Sequence, residues 1–571
     1  MEAKAAHLVF AIPELVALIA KSLPPRDITQ WMLTCKAFSR QLEPYFWSHL
    51  VLTRPLQDPM VLARYRHYFR TLRVDPIDHA ILGSLLNGLP PLQNSSLAYE
   101  EPVPNDGFPH LKELTLKSMN PRSIDPSFLS RTVEVLYHTP HLTRFTITWD
   151  IVEFDQQLSN LFSAALTTQL PHLQSLSISI TEMESELGLD IMKACFRHPQ
   201  LTELLLNSGV VFSPSSDHAY RLKFDELTES LLDVDKAKTD CFQPAGLLLK
   251  TLRLPDMLPM GHPENFLVPF FKSHVPNIER LTVPLVQGTF DLQELEKAIA
   301  IGCPRLQHLS SVWHACHIGY GETIISLIRG CAKAGLRSYH GKGLEDNRFI
   351  QMDDILKSLL EYHAKTLEEI GLSGCNFIKS DSLASVLTCC KNLKTLRMVP
   401  ALGGHVGITL RDAVLREWIC HDITVLHLWL GREVVVLDRK TEAEAIAQAA
   451  QRVYSQIGRL VKLEELRLGY YLSEQASAPM ESFTKDLTLK HGWLNELAGL
   501  KQLRRFQMAT DYWSCMGQAE VEFMDINWPK LESVSFDSMR FKNELLRKSH
   551  WRWLKKTRPQ ADLSTISCYV R

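Results

Sequence analysis

One short phrase recurs along almost the whole chain of 571 residues. At Leu173 it has the form apolar-x-x-apolar-x-apolar, completed by Leu176 and Ile178. Two weaker copies begin at Leu306 and Leu336, and the clean copies begin at Phe69, Leu111, Leu142, Leu173, Leu201, Leu249, Ile278, Leu367, Leu393, Ile423, Leu463, Leu503 and Leu531. Ten of the fourteen steps between neighbouring copies are 26–31 residues long, so the phrase marks a sequence repeat.

This spacing predicts short strands that stack on one another. The last two apolar residues of each phrase lie two apart, so on a strand they share one face. Such a short strand becomes stable only when neighbouring copies bury that face. The segments between phrases have helical periodicity, as in residues 151–168 and 350–364. Longer helices are predicted over residues 441–459 and 480–497, within the 40-residue steps that follow Leu428 and Leu468.

The chain resembles the leucine-rich repeat family, in which L-x-x-L-x-L recurs about every 20–29 residues. That resemblance implies an α/β solenoid, a horseshoe of parallel strands with outer helices. One feature of the family is missing: Asn or Cys usually follows the last apolar residue by three positions, and among the copies compared only Cys375 fits. We therefore expect an irregular array without a regular side-chain ladder. Chance alone could produce one or two such phrases in an α/β protein, but not thirteen.

Composition and charge exclude several classes of protein. The apolar content of 45% and charged content of 22% are ordinary for a globular protein, and the net charge of −2 favours neither nucleic acid nor membrane. The twelve Cys include no C-x-x-C pair, which predicts reduced thiols and a cytoplasmic or nuclear protein. The sequence has no apolar run of about 18 residues, so no transmembrane helix is expected.

The N-terminal segment, residues 12–47, has a different pattern that predicts three short helices. Pro13 can open the first helix, because its missing N–H would be unpaired there. Pro24 and Pro25 end it, and Asp27 in the first turn of the next helix favours the helix dipole. About forty residues make a marginal core, so this segment gains stability from a partner or from the array beside it.

This segment resembles an F-box, the docking module of a class of ubiquitin-ligase subunits. The residues that carry the resemblance are Ile12, Pro13, Leu15, Ile19, Leu23, Pro24, Asp27, Ile28, Cys35, Phe38 and Trp47. Two positions depart from the usual pattern, with Ile12 in place of Leu and Thr34 in place of Val. The resemblance implies that these residues bind a Skp-type adaptor and, through it, a cullin. The repeats would then hold an unknown protein substrate, with no cofactor and no catalysis by this chain.

Two alternatives remain open from the sequence. Residues 12–47 could be a plain helical cap that shields the first repeat, since solenoids need terminal caps. The protein would then be a repeat scaffold that binds a partner independently of any ligase. The pattern divides the chain into residues 1–52 as the F-box module, 53–108 as a linker helix and first irregular repeat, 109–540 as the array, and 541–571 as a basic cap.

Two further segments have no settled role. The insertion over residues 207–246 contains a mainly acidic run and could be either a flexible excursion or a binding element. The basic C-terminus, with Trp551 and Trp553, favours a terminal cap over a nucleic-acid or phosphate patch, so nucleic acid is not expected as a partner.

Binding residues are expected on the inner wall of the array, between the apolar positions of each strand. Aromatic and Arg side chains on an exposed wall are typical of protein-binding hot spots. The candidates are Trp149, Arg253, His340, Arg397, His427, Trp429, Arg467 and Tyr470. The sequence contains no phosphate-binding loop, dinucleotide fingerprint or G-x-S-x-G elbow, and no metal site is predicted because His314, Cys316 and His317 lack a second pair of ligands.

Overall fold

The computed structural model is α/β and divides into two compact units, Met1–Ile278 and Glu279–Arg571. The structure describes residues 13–34, 36–53, 59–75, 79–86, 89, 107–117, 127–149, 161–180, 194–195, 198, 200–208, 248–254, 268, 271–272, 275–284, 292–313, 320–331, 335–343, 352–431, 439–470, 487–490, 492–509, 516–537, 549–560 and 562–565. The 207–246 insertion lies outside these ranges except for its first two residues.

The first unit begins with three helices: α1 (Pro13–Ser22), α2 (Pro25–Met32) and α3 (Lys36–Ser48). Pro24, with extended backbone, separates α1 from α2, because the residue before a proline, here Pro25, is disfavoured in the helical region. The helices share a small core of Val16, Ala20, Ile28 and Leu42. The predicted helical module is therefore present in the structure. Helix α1 contributes two of these four core residues, and α2 and α3 contribute one each.

The third helix leads directly into a strand that the repeat pattern did not include. Strand β1 (His49–Leu52) pairs in parallel with β2 (Thr71–Val74). Trp47, Leu50 and Leu52 do have the apolar-x-x-apolar-x-apolar spacing, one step before the copy at Phe69. The helical module is thus continuous with the first strand of the repeats.

The remaining strands of the first unit pair in parallel and in chain order, from β1 to β7 within the described residues. Its other elements are α4 (Pro59–Tyr65), a 3₁₀ turn (Arg66–Tyr68), α5 (His79–Leu86), β3 (Glu113–Lys117), α6 (Ser127–Tyr137), β4 (Arg144–Trp149), a π turn (Ala165–Gln169), β5 (Ser175–Ile180), β6 (Glu203–Ser208) and β7 (Thr251–Arg253). The phrases at Leu142, Leu173 and Leu201 therefore do form adjacent parallel strands, as predicted.

The second unit repeats this arrangement, again with all described strand pairs parallel. Its elements are β8 (Arg280–Pro284), α7 (Leu292–Gly302), β9 (His308–Trp313), α8 (Tyr320–Gly330), β10 (Ser338–Gly343), α9 (Met352–His363), β11 (Glu369–Ile378), α10 (Ser380–Cys389), β12 (Thr395–Val406), β13 (Ile408–Thr409), α11 (Leu410–Val414), β14 (Val425–Gly431), α12 (Arg439–Gly458), β15 (Glu465–Tyr470), a 3₁₀ turn (Leu494–Gly499), β16 (Arg505–Ala509), α13 (Gln518–Asn527), β17 (Ser533–Asp537), α14 (Ser549–Thr557) and β18 (Asp562–Thr565).

The strand register places equivalent apolar residues side by side. Leu114, Phe145 and Leu176 form one such column in the first unit, and Leu426, Leu466 and Phe506 form one in the second. All six are buried. Each phrase therefore contributes to a continuous core that no single repeat could build.

Backbone hydrogen bonds join neighbouring repeats at the point where the chain enters a strand. Pro occupies the position two residues before the phrase at Pro109, Pro140, Pro171, Pro276, Pro304 and Pro529. The amide of the second phrase residue then donates to the equivalent carbonyl of the preceding repeat, as Lys112 does to Arg70 at 2.8 Å and Arg337 to Gln307 at 2.7 Å. A backbone ladder therefore joins these repeats, where the sequence led us to expect no regular side-chain ladder.

One of the two weak copies of the phrase, the copy at Leu306, is explained by a buried tyrosine. Tyr339 occupies the second apolar position of the copy at Leu336 and is fully buried. Its hydroxyl lies 2.9 Å from the hydroxyl of Ser311, at the last position of the neighbouring copy. A buried phenol needs a hydrogen-bond partner, so Ser replaces an apolar residue there.

The helix predictions are confirmed in part. Helices α9 and α12 match the predictions over 350–364 and 441–459, and the described part of 151–168, from residue 161 onward, is helical. The helix predicted over 480–497 is wrong in its described part, where residues 487–490 form a turn that is followed by the short 3₁₀ helix. Residues 480–486 lie outside the described residues. The amide of Leu489 donates to the Glu520 carboxylate at 3.0 Å, and Gly492 disfavours a continuous helix.

The basic C-terminus contains one more helix and strand. Trp551 on α14 is buried, so it belongs to the core and not to a surface patch. Arg558 donates to Asp525 at 2.5 Å and to the Trp528 carbonyl at 2.9 Å, which ties α14 to α13. Strand β18 then pairs with β17 through Leu563 and Val534, a strand that the sequence analysis missed because only one of its column positions is apolar.

Candidate recognition surfaces

The N-terminal helical module presents apolar side chains that its own core does not bury. Leu18 is 63% exposed and Leu33 is 76% exposed, although both belong to a module with a small core. A single exposed large apolar residue is ordinary on a protein surface. Here two of them lie within about forty residues, together with the half-buried Leu15 and Ile19. This module therefore offers apolar surface for a partner.

The residues that carry the F-box resemblance occupy different environments. Pro24 and Asp27 are exposed, Leu23 is half-buried, and Ile28 lies in the core. Ile12 and Cys35 lie outside the described residues. Pro13 begins α1 and Phe38 lies on α3, but their side chains are also outside the described part.

Trp47 packs against the segment that follows it. Its ring stacks on Tyr65 with centroids 4.6 Å apart and planes 9° apart, and Phe69 lies 6.4 Å away. A hydrogen bond with the Glu43 side chain raises the pKa of Tyr65. Trp47 therefore connects α3 to the first strands, a structural role that its repeat-like spacing could have indicated.

In the second unit, a charged face lies on the side of the strands opposite the apolar columns. We define the charged face as His340, Glu369, Arg397, His427, Trp429, Glu465, Arg467 and Arg505. These residues alternate along their strands with the apolar positions, so they point to the opposite side. The register pairs His340 with Gly371, pairs Gly371 with Arg397 on the next strand, and pairs His427 with Arg467.

One half of the charged face is centred on Glu369 of β11. Its carboxylate lies 3.5 Å from His340 Nε2 and 3.4 Å from Arg397 Nη1. The imidazole of His340 occupies the space above Gly371, where a Cβ would collide with the ring. His340 and then Arg397 lower the pKa of Glu369, so it is ionised at neutral pH.

The other half is centred on Glu465 of β15. His427 Nε2 lies 2.8 Å from its carboxylate, and Arg505 Nη2 lies 2.9 Å away. Burial lowers the pKa of His427, so the neutral ring donates Nε2–H to Glu465. That hydrogen bond, followed by the charge of Arg505, lowers the pKa of Glu465.

A stacked pair lies on β14 and β15, the strands that also carry His427 and Glu465. The Arg467 guanidinium lies 4.9 Å from the centroid of the Trp429 ring, within range of a cation–π interaction. The indole covers Gly469, since a Cβ there would come within 2.5–2.8 Å of three indole atoms. Glycine at that position therefore provides the room in which Trp429 lies.

The sequence predicted an exposed wall, but the side chains of the charged face differ widely in solvent exposure. His427, Trp429 and Arg467 are only 6–7% exposed. In contrast, the side chains of Arg397 and Arg505 are 44% and 61% exposed. The buried three are thus positioned to support the face, while the two exposed Arg side chains are available for contact.

Sequence reasoning missed Glu369, Glu465 and Arg505. They occupy the third position of the phrase, whereas the candidates were taken from the fifth position and from residues just after the phrase. The period of two on a strand places both positions on the same side, and that signal could have found them. Of the other predicted residues, Arg253 is half-buried on β7 of the first unit, and Trp149 and Tyr470 lie on β4 and β15 with side chains outside the described part.

Several searches found nothing. Among the described residues, no group of three or more His, Cys, Asp or Glu is arranged to hold a metal ion. Within that same part of the chain, no helix combines the length and apolarity that a membrane span requires. A comparison with models of known protein families found no match, and a comparison with curated proteins found none either.

Proposed function

We propose that this protein is the substrate-binding subunit of a cullin-type ubiquitin ligase, with residues 12–47 acting as an F-box-like module that binds a Skp-type adaptor. The observation that carries the proposal is the three-helix module with exposed Leu18 and Leu33 ahead of stacked parallel strands. The strands match the spacing of leucine-rich repeats, and they would hold a target protein. The chain would supply proximity and no chemistry.

Adaptor capture tests the proposal directly. Purified full-length chain is incubated with a Skp-type adaptor, and the bound fraction is measured by pull-down. The variant Pro13→Ala with Leu15→Ala, at positions of the motif, is expected to abolish capture. Leu18→Asp and Leu33→Asp are expected to weaken it strongly, because a charge replaces exposed apolar contact area while the core is untouched.

The matched control is Ile526→Asp. Ile526 is also a large exposed apolar residue, at 75%, but it lies on α13 of the second unit. It is expected to leave adaptor capture unchanged. If the unaltered chain captures no adaptor, or if the motif variant binds as well as the original, the proposal is rejected.

A second candidate function is a repeat scaffold that acts without a ligase, with the helical module as a terminal cap. The observation in its favour is the continuity of α3 with β1, and the packing of Trp47 on Tyr65. A cap would shield the first strand in this way. This hypothesis predicts that no adaptor binds, so the same pull-down separates the two.

A further inference from the structure

The charged face of the second unit carries a surplus of positive charge at its accessible positions. Arg397 pairs with the Glu369 carboxylate and Arg505 pairs with the Glu465 carboxylate. The side chains of both Arg residues remain about half exposed or more. A guanidinium has five N–H donors, and one carboxylate contact occupies only part of them. Each Arg is therefore held in place and still has donors for a ligand.

The buried residues of the face limit how it can move. His427 donates to Glu465 from a buried position, and Arg467 lies against Trp429 above Gly469. A side chain held by such contacts loses less entropy when a ligand binds. The face is therefore preorganised, with the buried Trp429 and Arg467 supporting the exposed Arg residues.

The distance between the two exposed Arg residues defines a spacing for the ligand. Strands β12, β14, β15 and β16 are paired in succession, so Arg397 and Arg505 are three strand steps apart. At about 4.8 Å a step this is about 14 Å across the strands, and the two-residue offset adds about 7 Å along them. The resulting separation, about 16 Å, is spanned by about four or five residues of extended chain.

We infer that the charged face binds an extended acidic segment of a partner protein, whose two carboxylate side chains, about four residues apart, pair with Arg397 and Arg505. The inference rests on the proposed function, in which the second unit holds the target, and it specifies the chemistry of that target. The central Trp429 and Arg467 then lie under the residues between the two carboxylates.

A nucleic acid fits this face less well than an acidic peptide. Glu369 and Glu465 stand within the face and are ionised, and each would repel a continuous phosphate chain. The Arg side chains are also already oriented by those carboxylates. Two separate carboxylates that approach from above can use the outer donors of each guanidinium.

The test measures binding of fluorescent peptides to the full-length chain by anisotropy. One Ser/Ala-rich peptide carries two Glu at the proposed spacing, a second has Gln in their place, and a third has the two Glu adjacent. We expect the first to bind, the second to bind at least about tenfold more weakly, and the third to lie between them. Equal binding of the first two peptides would overturn the inference.

The protein variants are Arg397→Gln combined with Arg505→Gln, and both positions are exposed, so we expect the substitutions to leave the fold intact. This double variant is expected to weaken binding of the first peptide about tenfold or more. The matched control is Arg144→Gln, an exposed Arg on β4 of the first unit that also pairs with a carboxylate, Glu113 at 3.5 Å. Its affinity for the peptide should be unchanged.

Two outcomes would overturn the inference and leave the proposed function intact. One is unchanged peptide affinity in the double variant, with adaptor capture by the N-terminal module retained. The other is displacement of the acidic peptide by a single-stranded oligonucleotide of equal charge at lower concentration. Failure of the proposed function has a different signature, the absence of adaptor capture, whatever the peptide affinity is.

Discussion

The fifth position of the strand phrase carries different side chains in the two units. On the first unit, the fifth positions of β3, β4 and β5 are Thr115, Thr146 and Ser177, small hydroxyl side chains in register. On the second unit, the fifth positions of β12, β14 and β15 are Arg397, His427 and Arg467, beside the ionised Glu369 and Glu465 of the charged face. The apolar columns behind both surfaces are alike. Positions that face the core thus define the fold, while positions on the opposite side are free to carry function.

The largest expected effect tests whether the two cores are equivalent. Leu176→Ala in the first unit and Leu466→Ala in the second each leave a cavity in a fully buried column. Each is expected to destabilise its own unit by about 2–5 kcal/mol. Chemical denaturation, followed by hydrogen exchange of peptides from each unit, measures both values. A loss below about 1 kcal/mol in one unit alone would show that its column is not a core.

A second substitution tests the packing beneath the charged face. Gly469→Ala places a methyl group against the Trp429 indole, so the ring must move, at an expected cost of about 1–3 kcal/mol. It should also weaken binding of the acidic peptide. The control is Gly321→Ala on α8, where an added Cβ meets nothing within 4 Å. That variant is expected to be neutral or slightly stabilising, since Ala favours a helix.

Acid is expected to destabilise both units at mildly acidic pH, and to destabilise the second unit further at lower pH. Burial lowers the pKa of His198 in the first unit and of His363 in the second, below the ordinary value of 6.5. The unfolded chain then binds more protons, so both units lose stability as the pH falls from about 6.5 toward the folded pKa. The pKa values of Glu369 and Glu465 are lowered from 4.5, so the second unit loses further stability as the pH falls below that value.

Hydrogen exchange at a series of pH values measures these losses for each unit separately. His363→Gln is expected to reduce the loss near pH 6 in the second unit and to leave the first unit unchanged. Glu465→Gln is expected to reduce the loss below pH 4.5 in the second unit only. An identical acid response in both units at all pH values would contradict the difference between the two surfaces.

The smallest expected effect concerns the exposed ion pairs. Arg144→Gln and Arg505→Gln each remove an exposed Arg from a carboxylate. Solvent screens both pairs, so each change should alter the free energy of unfolding by at most about 1 kcal/mol. Thermal denaturation checks this expectation. A larger loss for Arg505→Gln would indicate that the charged face stabilises the second unit as well as presenting donors.

Much of the fold could be predicted because the pattern is local and repeated. A period of two within each phrase and of about thirty between phrases leaves few arrangements other than stacked strands, and β4, β5 and β6 pair accordingly. The structure of the described residues within 480–497 could not be predicted from local sequence. The Glu520 carboxylate that accepts a hydrogen bond from the Leu489 amide is distant in sequence. Strand β18 was missed because only one of its column positions, Leu563, is apolar, so the phrase is incomplete there.

The sequence by itself determined which residues form the core columns and which face away from them, because strand geometry assigns alternate residues to opposite sides. The tertiary structure alone decided which of the polar residues are accessible. His427, Trp429 and Arg467 are buried by neighbours on adjacent strands, and the Trp429 indole lies over Gly469. The register between repeats determines which neighbours these are. Burial of a side chain depends on contacts between strands that are about thirty or forty residues apart, and no periodicity within one strand reports them.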